Sequence, residues 1–351
     1  MTITRRSILG AAPVLAAGAA LCGGGRALTG PALAQGRTAP LRVGVIPILA
    51  AAPIYVAEKE GWLKQAGLSL AVTTFESGPN MIQALASRTL DIYVAGVAPL
   101  GVARSKGIDV KVVAATSVEE NVFVAGPKLA RFAEPGVAPA EVFKRYRESA
   151  GTPARLATQP LGSVPNTTLQ HWLWEVAKAD PKDVTIVSMG IDATQQAVLA
   201  GAVEGGILRE PAVSIVTGRN PAIRLMALGG AMFPSQPGTV VAVTRALLDK
   251  EPETVQAIVT VIVRAVDLIG REPERVAPVI EAALGKGLVD TATIRRALAS
   301  PATRFAADPR PIVEPTAAMQ RYQVTIGALD REVPLDGLFE ARFYERAVAA
   351  K

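Results

Sequence analysis

The chain has 351 residues, half of them hydrophobic, with 37 Lys and Arg against 31 Asp and Glu, one His and one Cys. A formal charge of +6 at this length does not argue for a nucleic-acid partner, and a single Cys with a single His excludes a disulfide framework and His–Cys zinc sites. A chain this long buries a large core and ordinarily divides into two lobes.

Along the chain, the first feature is an export leader expected to span residues 1–34. Arg5-Arg6 forms a charged start, Ile8 to Leu21 a weakly apolar run, and Ala32-Leu33-Ala34 a small-x-small cleavage signal. That run is too short and too rich in Gly and Ala for a bilayer span, which needs about 20 apolar residues. The reading is a twin-arginine leader cleaved near Ala34, delivering the protein to the periplasm, although Ile8 stands where that pattern usually has Phe. Cleavage takes away Arg5, Arg6 and Arg26 and no acid, which halves the formal charge. It also removes Cys22, where the preceding Leu21 is a poor fit for lipid attachment.

From Leu41 short β-branched runs alternate with longer amphipathic ones. The pattern predicts strand 41–46, helix 53–65, strand 68–74, helix 79–86, strand 90–94, helix 98–106 and strand 110–114. After a stretch carrying Pro127, Pro135, Gly136 and Pro139, with a charged helix over 142–149, it resumes. Strand 155–158, helix 165–177, strand 184–188, helix 193–200 and strands 206–208, 223–227 and 239–243 follow. The remainder reads as helical, with Pro252 and Pro273 each at the first position of a helix. Such a βαβ series implies mostly parallel sheets. The segments Ala84 to Ile92 and Val198 to Ile207 both run from helix end through a tight turn and an acid to a buried strand, a weak echo suggesting two similar lobes facing one cleft.

Several of these segments together resemble one family. They are Gly44-Val45-Ile46-Pro47, Pro53 to Trp62, Gly67-Leu68, Glu76-Ser77-Gly78, Ala84-Leu85-Ala86 through Leu90-Asp91-Ile92, Gly107 to Val113, and Gln196 to Gly201 through Glu210-Pro211. In this order they are similar to the periplasmic substrate-binding proteins of nitrate, sulfonate and taurine ABC importers, a family that includes carriers of thiamine-precursor pyrimidines. The resemblance implies a two-lobed α/β fold of the type II periplasmic binding protein class, with mostly parallel sheets flanked by helices and a helical C-terminal region. Lobe I would comprise 41–122 and 240–351 and lobe II 123–239, joined by crossing strands near Val122 to Ala125 and Val240 to Val243. The implied role is capture of a small organic or oxyanionic solute and delivery to an inner-membrane ABC permease by a monomer. The twin-arginine translocase is an expected partner during export, and no nucleic acid, metal or cofactor is expected.

The position of a site follows from sheet architecture. Ligands gather beyond the carboxyl ends of parallel strands, where loops turn into helix N-termini. That rule selects Ile48 and Leu49; Glu76, Ser77 and Gly78; Val97 and Ala98; Gln159, Ser163, Asn166 and Thr167; Asp192; and Glu210. It demotes Asp91 and Glu204, which begin their strands. Ser77-Gly78-Pro79 suits an oxyanion, although Ser77 or Gly78 could simply cap a helix. Capping accounts for one of Ser163, Asn166 and Thr167 and leaves the others for a ligand. Asp192 has capping-box spacing with Gln195, and Glu210 is a poor N-cap next to Pro211. With no Arg or Lys assigned to these loops, an anion would be held by neutral donors and helix dipoles. Acids lining the cleft would instead favour a ligand with an amine or N–H donors, so a carrier for a pyrimidine or other N–H-bearing ligand stays open, as does a ligand-binding partner of a signalling receptor.

Enzymatic constellations are missing. There is no P-loop, no Gly-x-Gly-x-x-Gly after a strand and no Gly-x-Ser-x-Gly elbow, and a Ser-His-Asp triad would have to use His171, which reads as structural. Trp62 and Trp172 read as packing residues. A pyrimidine synthase of similar fold would need a cysteine-rich motif and a substrate histidine that this chain lacks.

Overall fold

Runs of Val, Ile and Ala become strands where neighbouring runs can pair, and among the described residues ten do so, in two sheets of five. Along the chain they are β1 (Leu41–Val45), β2 (Leu70–Thr74), β3 (Ile92–Gly96), β4 (Val110–Ala115), β5 (Val122–Ala125), β6 (Ala154–Thr158), β7 (Val184–Ser188), β8 (Gly205–Leu208), β9 (Arg224–Leu228) and β10 (Thr239–Thr244). The structure is a computed structural model that describes residues 39–285 and 289–350. The expected leader with Arg5, Arg6, Cys22 and the cleavage point at Ala34 lies outside the described residues.

The first sheet runs β2-β1-β3-β10-β4 and the second β7-β6-β8-β5-β9. In each, one strand opposes its neighbours: β10 is antiparallel to β3 and β4, and β5 to β8 and β9. The other pairings are parallel. Alternation decides which core each side chain joins. Val43, Val45, Ile92, Val94 and Val241 meet the helices Ala52–Lys59 and Pro252–Arg271 on one face of the first sheet. Ile46, Tyr93, Ala95 and Val240 meet Met81, Leu85 and Leu100 on the other. The second sheet is covered likewise, by Val142, Phe143, Leu169 and Trp172 on one side and Val198, Val213 and Val216 on the other. Both sheets are thus central layers between helices, as the near-continuous apolar strands require.

Most predicted elements form with ends moved by a few residues, and three differences have physical causes. The expected helix 53–65 breaks into Ala52–Lys59 and Trp62–Gln65 because Gly61 takes the left-handed conformation, φ 73°. The expected helix 165–177 is α-helical over Val164–His171 and then widens into a π-turn, Trp172–Val176. The strand expected at 90–94 starts two residues later, since Asp91 is engaged with strand β1: its carboxylate accepts the Arg42 backbone N–H at 3.0 Å and the Arg42 guanidinium at 2.7 Å. The second sheet repeats this device. Glu204, ahead of β8, accepts the Arg155 N–H of β6 at 2.9 Å, and both pairs are separated by 49 residues. The echo seen in sequence therefore corresponds to equivalent positions in two sheets of matching order.

Between β4 and β5, and again before β10, the chain passes from one sheet to the other. The two passages lie side by side: Thr116 N–H donates to Thr239 O, Glu119 N–H to Gln236 O and Asn121 N–H to the Gln236 side-chain oxygen. Gly238 permits this approach, because a Cβ there would stand 2.2 Å from the Ser117 carbonyl oxygen. Gly238→Ala is expected to force the passages apart at a cost of about 1–3 kcal/mol, seen as a melting temperature several degrees lower by calorimetry.

Candidate functional site

The carboxyl ends of β1, β2 and β3 face those of β6, β7 and β8, so the loops selected from sequence meet across one cleft. Leu49 N–H donates to the Glu210 carbonyl at 2.7 Å and Ile191 N–H to the Glu76 carbonyl at 3.2 Å, each bond joining one lobe to the other. Val97 and Ala98 are buried beside this junction, and a Cβ on Gly96 would lie 2.7 Å from Val164 of the opposite lobe. Ile48 packs with Ile46, Ala50 and the opposite lobe's Ile191. The helix Val313–Thr325 lies over the same junction, its Gln323 side chain donating to Gly162 O at 3.1 Å and its Met319 packing with Ala98 and Val164.

Glu76 crosses the cleft. Its carboxylate lies 3.4 Å from the Asp192 N–H, at the start of the helix Ile191–Leu199 in the other lobe, where the helix dipole favours a negative charge. Gly190, the N-cap, makes room for it: a Cβ there would be 2.6 Å from a Glu76 carboxylate oxygen. A carboxylate of the chain itself therefore stands at one of the helix N-termini that sequence reasoning reserved for a ligand.

Other selected residues spend their hydrogen bonds locally. The Ser77 hydroxyl caps the helix Gly78–Ala86 through Asn80 N–H at 3.3 Å, and Ser163 caps Val164–His171 through Asn166 N–H at 3.2 Å. Capping was expected to leave two of Ser163, Asn166 and Thr167 unexplained; instead Thr167 donates to Ser163 O at 2.9 Å, and Asn166 accepts from Gln170 at 2.7 Å. The capping box proposed for Asp192 does not form either, because the helix begins two residues earlier than expected and Asp192 sits in its first turn, exposed. Glu210, expected to be a poor cap, accepts Ser214 N–H at 3.0 Å from just outside the helix Ala212–Arg219. Burial raises its carboxyl above the usual glutamate range, opposed by hydrogen bonds from Ser300 and Ser214 and by Arg296. Gly78 lies against the Tyr93 hydroxyl, which itself donates to Gly96 O at 2.7 Å, and Gln159 is buried at the end of β6.

The structure corrects the expectation that no cation lies in these loops. Arg209 directly follows β8, at the position the strand-end rule selects, and only its neighbour Glu210 was taken from that loop. Its side chain is 3% exposed and contacts Glu120 at 3.3 Å, a residue of the first passage between lobes. Burial lowers the Arg209 pKa and the adjacent Glu120 carboxylate opposes that shift. Four buried polar atoms near the strand ends, Arg209 Nη2, Glu120 Oε2, Asn121 Oδ1 and Thr158 Oγ1, have no hydrogen-bond partner among the described residues. Each such atom costs about 1–3 kcal/mol while it stays unmatched. The signal for Arg209 was present in sequence: a charged residue ending an all-apolar strand is rarely buried without a reason.

No group of three or more His, Cys, Asp or Glu that could hold a metal ion occurs among the described residues. His171 packs between Phe233 and Tyr322, with Nδ1 2.8 Å from Met232 O. Trp172 packs on Phe123 and Phe143 in the second lobe's core.

The pattern of the NMT1-like family matches residues 34–283, well over half of the chain. The chain belongs to that family. As an NMT1-like protein it has the type II periplasmic binding protein fold, with two mixed sheets flanked by helices, and solved structures of that fold cover nearly its whole described length. A nitrate-binding protein of Synechocystis superposes with a TM-score of 0.74 at 15% identity, covering 89% of this chain and 88% of that one. An alkanesulfonate-binding protein of Xanthomonas axonopodis, solved with the buffer molecule MOPS, gives 0.68 at 18%, covering 86% and 98%. The ligand-binding component of an ABC-type import system from Staphylococcus aureus, solved with zinc, gives 0.70 at 17%, covering 88% and 98%. No curated protein sequence matches the chain.

Two outcomes test this geometry. Glu76→Gln removes the charge at the helix N-terminus, worth about 0.3–1 kcal/mol, so the open population should grow roughly two- to five-fold, read as a larger radius of gyration in small-angle scattering. For Glu210, the native carboxyl keeps its proton to higher pH than the unfolded one. Its contribution to stability is therefore complete below the usual glutamate range and lost as pH rises through the raised native value. Glu210→Gln lacks that slope, and its melting temperature should gain on the wild type as pH is raised from 4 to 7.

Proposed function

We propose that this NMT1-like protein is the solute-binding component of an ABC importer, taking up a small organic or oxyanionic solute of the sulfonate, taurine or nitrate kind between its lobes and presenting it to a membrane permease. The observation that carries this reading is the arrangement of two equivalent sheets with their carboxyl ends on one cleft, joined by two adjacent passages. The neighbours named for nitrate, alkanesulfonate and ABC-type import support it through their fold. Among the described residues no helix is long and apolar enough to cross a membrane, so the permease would be a separate chain. The leader read in residues 1–34 supports a periplasmic, twin-arginine-exported protein.

Binding without chemistry is the better account of the interior. The sole histidine is held between two aromatic rings and a backbone carbonyl, and the selected serines serve as helix caps. Lobe I, on this reading, takes the first sheet with the C-terminal helices and lobe II the second, closing about the paired passages.

Thermal denaturation against sulfonates, nitrate, hydrogencarbonate and pyrimidine precursors tests the proposal. A ligand at about a thousand times its dissociation constant adds roughly 4 kcal/mol and raises the midpoint by several degrees. One such shift is the expected result; a flat response across all classes would overturn the assignment.

A further inference from the structure

The helix Val313–Thr325 is tied by the chain on either side of it to the first lobe. Ile312 before it and Leu338 after it are both buried in the first sheet's core, and Val112 N–H of β4 donates to Leu338 O at 2.7 Å. On the helix itself Gln320 faces that lobe: its side-chain oxygen accepts Val333 N–H at 3.0 Å, and a Cβ on Gly101 would lie 3.5 Å from its amide carbon. One turn of the same helix reaches the second lobe. Gln323 Nε2 donates to Gly162 O at 3.1 Å, the Tyr322 ring meets His171 edge-on with centroids 5.0 Å apart, and Met319 packs with Ala98 of the first lobe and Val164 of the second. Gly162 and Val164 follow β6 and Ala98 follows β3, so this turn spans the cleft-facing ends of both sheets.

Two features suit a contact that is made and broken. It is narrow, since a groove open to solvent lies between Arg321 and Thr325 on the helix and Glu175 and Pro234 of the second lobe. It is also incompletely matched, because the buried Gln323 leaves Oε1 without a hydrogen-bond partner among the described residues. That atom gains a partner when water reaches it, so parting costs less than the loss of the Gly162 bond alone. Chain continuity decides which side parts: both ends of the helix are held in the first lobe, whereas it meets Gly162, Val164 and His171 through side chains. We propose that the helix Val313–Thr325 is a latch carried by the first lobe, which holds the cleft closed by gripping the second lobe through Gln323 and Tyr322 and lets go when the lobes part. This inference rests on the carrier reading, which supplies the need for closure, and deepens it. The loop so held runs between Gln159 and Ser163 beyond the end of β6, so release frees one wall of the cleft, and the balance of open and closed forms is set in part outside the solute's own contacts.

Electron–electron resonance distances between spin labels test the latch in the full chain carrying Cys22→Ser. The labels sit on two exposed positions, Lys106→Cys in the first lobe and Glu148→Cys in the second. Gln323→Glu keeps the size of the side chain but sets a buried carboxylate against the Gly162 carbonyl, and Tyr322→Ala takes the ring away from His171. Each should raise the share of long distances about three- to ten-fold over the parent. Arg321→Ala, at an exposed position of the same helix, should leave the distribution as it was. A merely structural helix would lose melting temperature in Gln323→Glu and Tyr322→Ala with the distances unmoved, and that result overturns the latch. If Gln323→Glu fails to fold by circular dichroism, Tyr322→Ala decides the matter alone. The two readings fail separately: unmoved distances beside a thermal shift with one solute overturn the latch only, whereas longer distances in the variants beside a flat response to every solute overturn carriage and leave a latch between the lobes.

Discussion

Everything in this structure depends on two strands, one in each sheet, that directly follow a passage from the other sheet. Four parallel strands in each lobe follow from the βα alternation, but β10 enters the first sheet after the chain has built the second, and β5 opens the second sheet directly after the first has been left. Both are inserted antiparallel, between β3 and β4 and between β8 and β9. Neither sheet can lose its exchanged strand without losing two ladders of backbone hydrogen bonds. The passages are consequently short and adjacent, and Gly238 and Gln236 fit one against the other.

That exchange also fixes what faces what. With the passages paired, the carboxyl ends of β1 to β3 and of β6 to β8 converge, and the helix N-termini that follow them are brought together. Several of these termini are already served: Ser77 and Ser163 cap their own helices, and Glu76 stands at the start of a helix in the opposite lobe. Unmatched buried polar atoms remain on Arg209, Glu120 and Asn121 near the first passage and on Thr158 at the end of β6, where burial makes unpaired groups expensive.

How much of this could be read in advance varies with the range of the cause. Strand and helix identities came from periodicity, and the errors are local: a left-handed Gly61 divides one helix, and the start of β3 moves because Asp91 is committed to Arg42. The strand-end rule selected loops that meet across the cleft but assigned chemistry to side chains whose partners are neighbours in sequence, as with Asn166 and Gln170 or Thr167 and Ser163. It passed over Arg209, whose surroundings come from Glu120, 89 residues away.

By itself the sequence determined the alternation of strands and helices, the two-lobed plan, the places where helices start and the positions that lie beyond strand ends, since each follows from side-chain period, Pro and Gly geometry and local hydrogen bonding. Only the tertiary structure decided which polar atoms are spent and which are left. Glu76 and Glu210 proved to be engaged with helix N-termini, whereas Arg209 and Glu120 became an incompletely matched pair in a shared cavity. The reason is that burial and partnership of a charged group are properties of the space between distant segments, and that space exists only once the two passages have brought the lobes face to face.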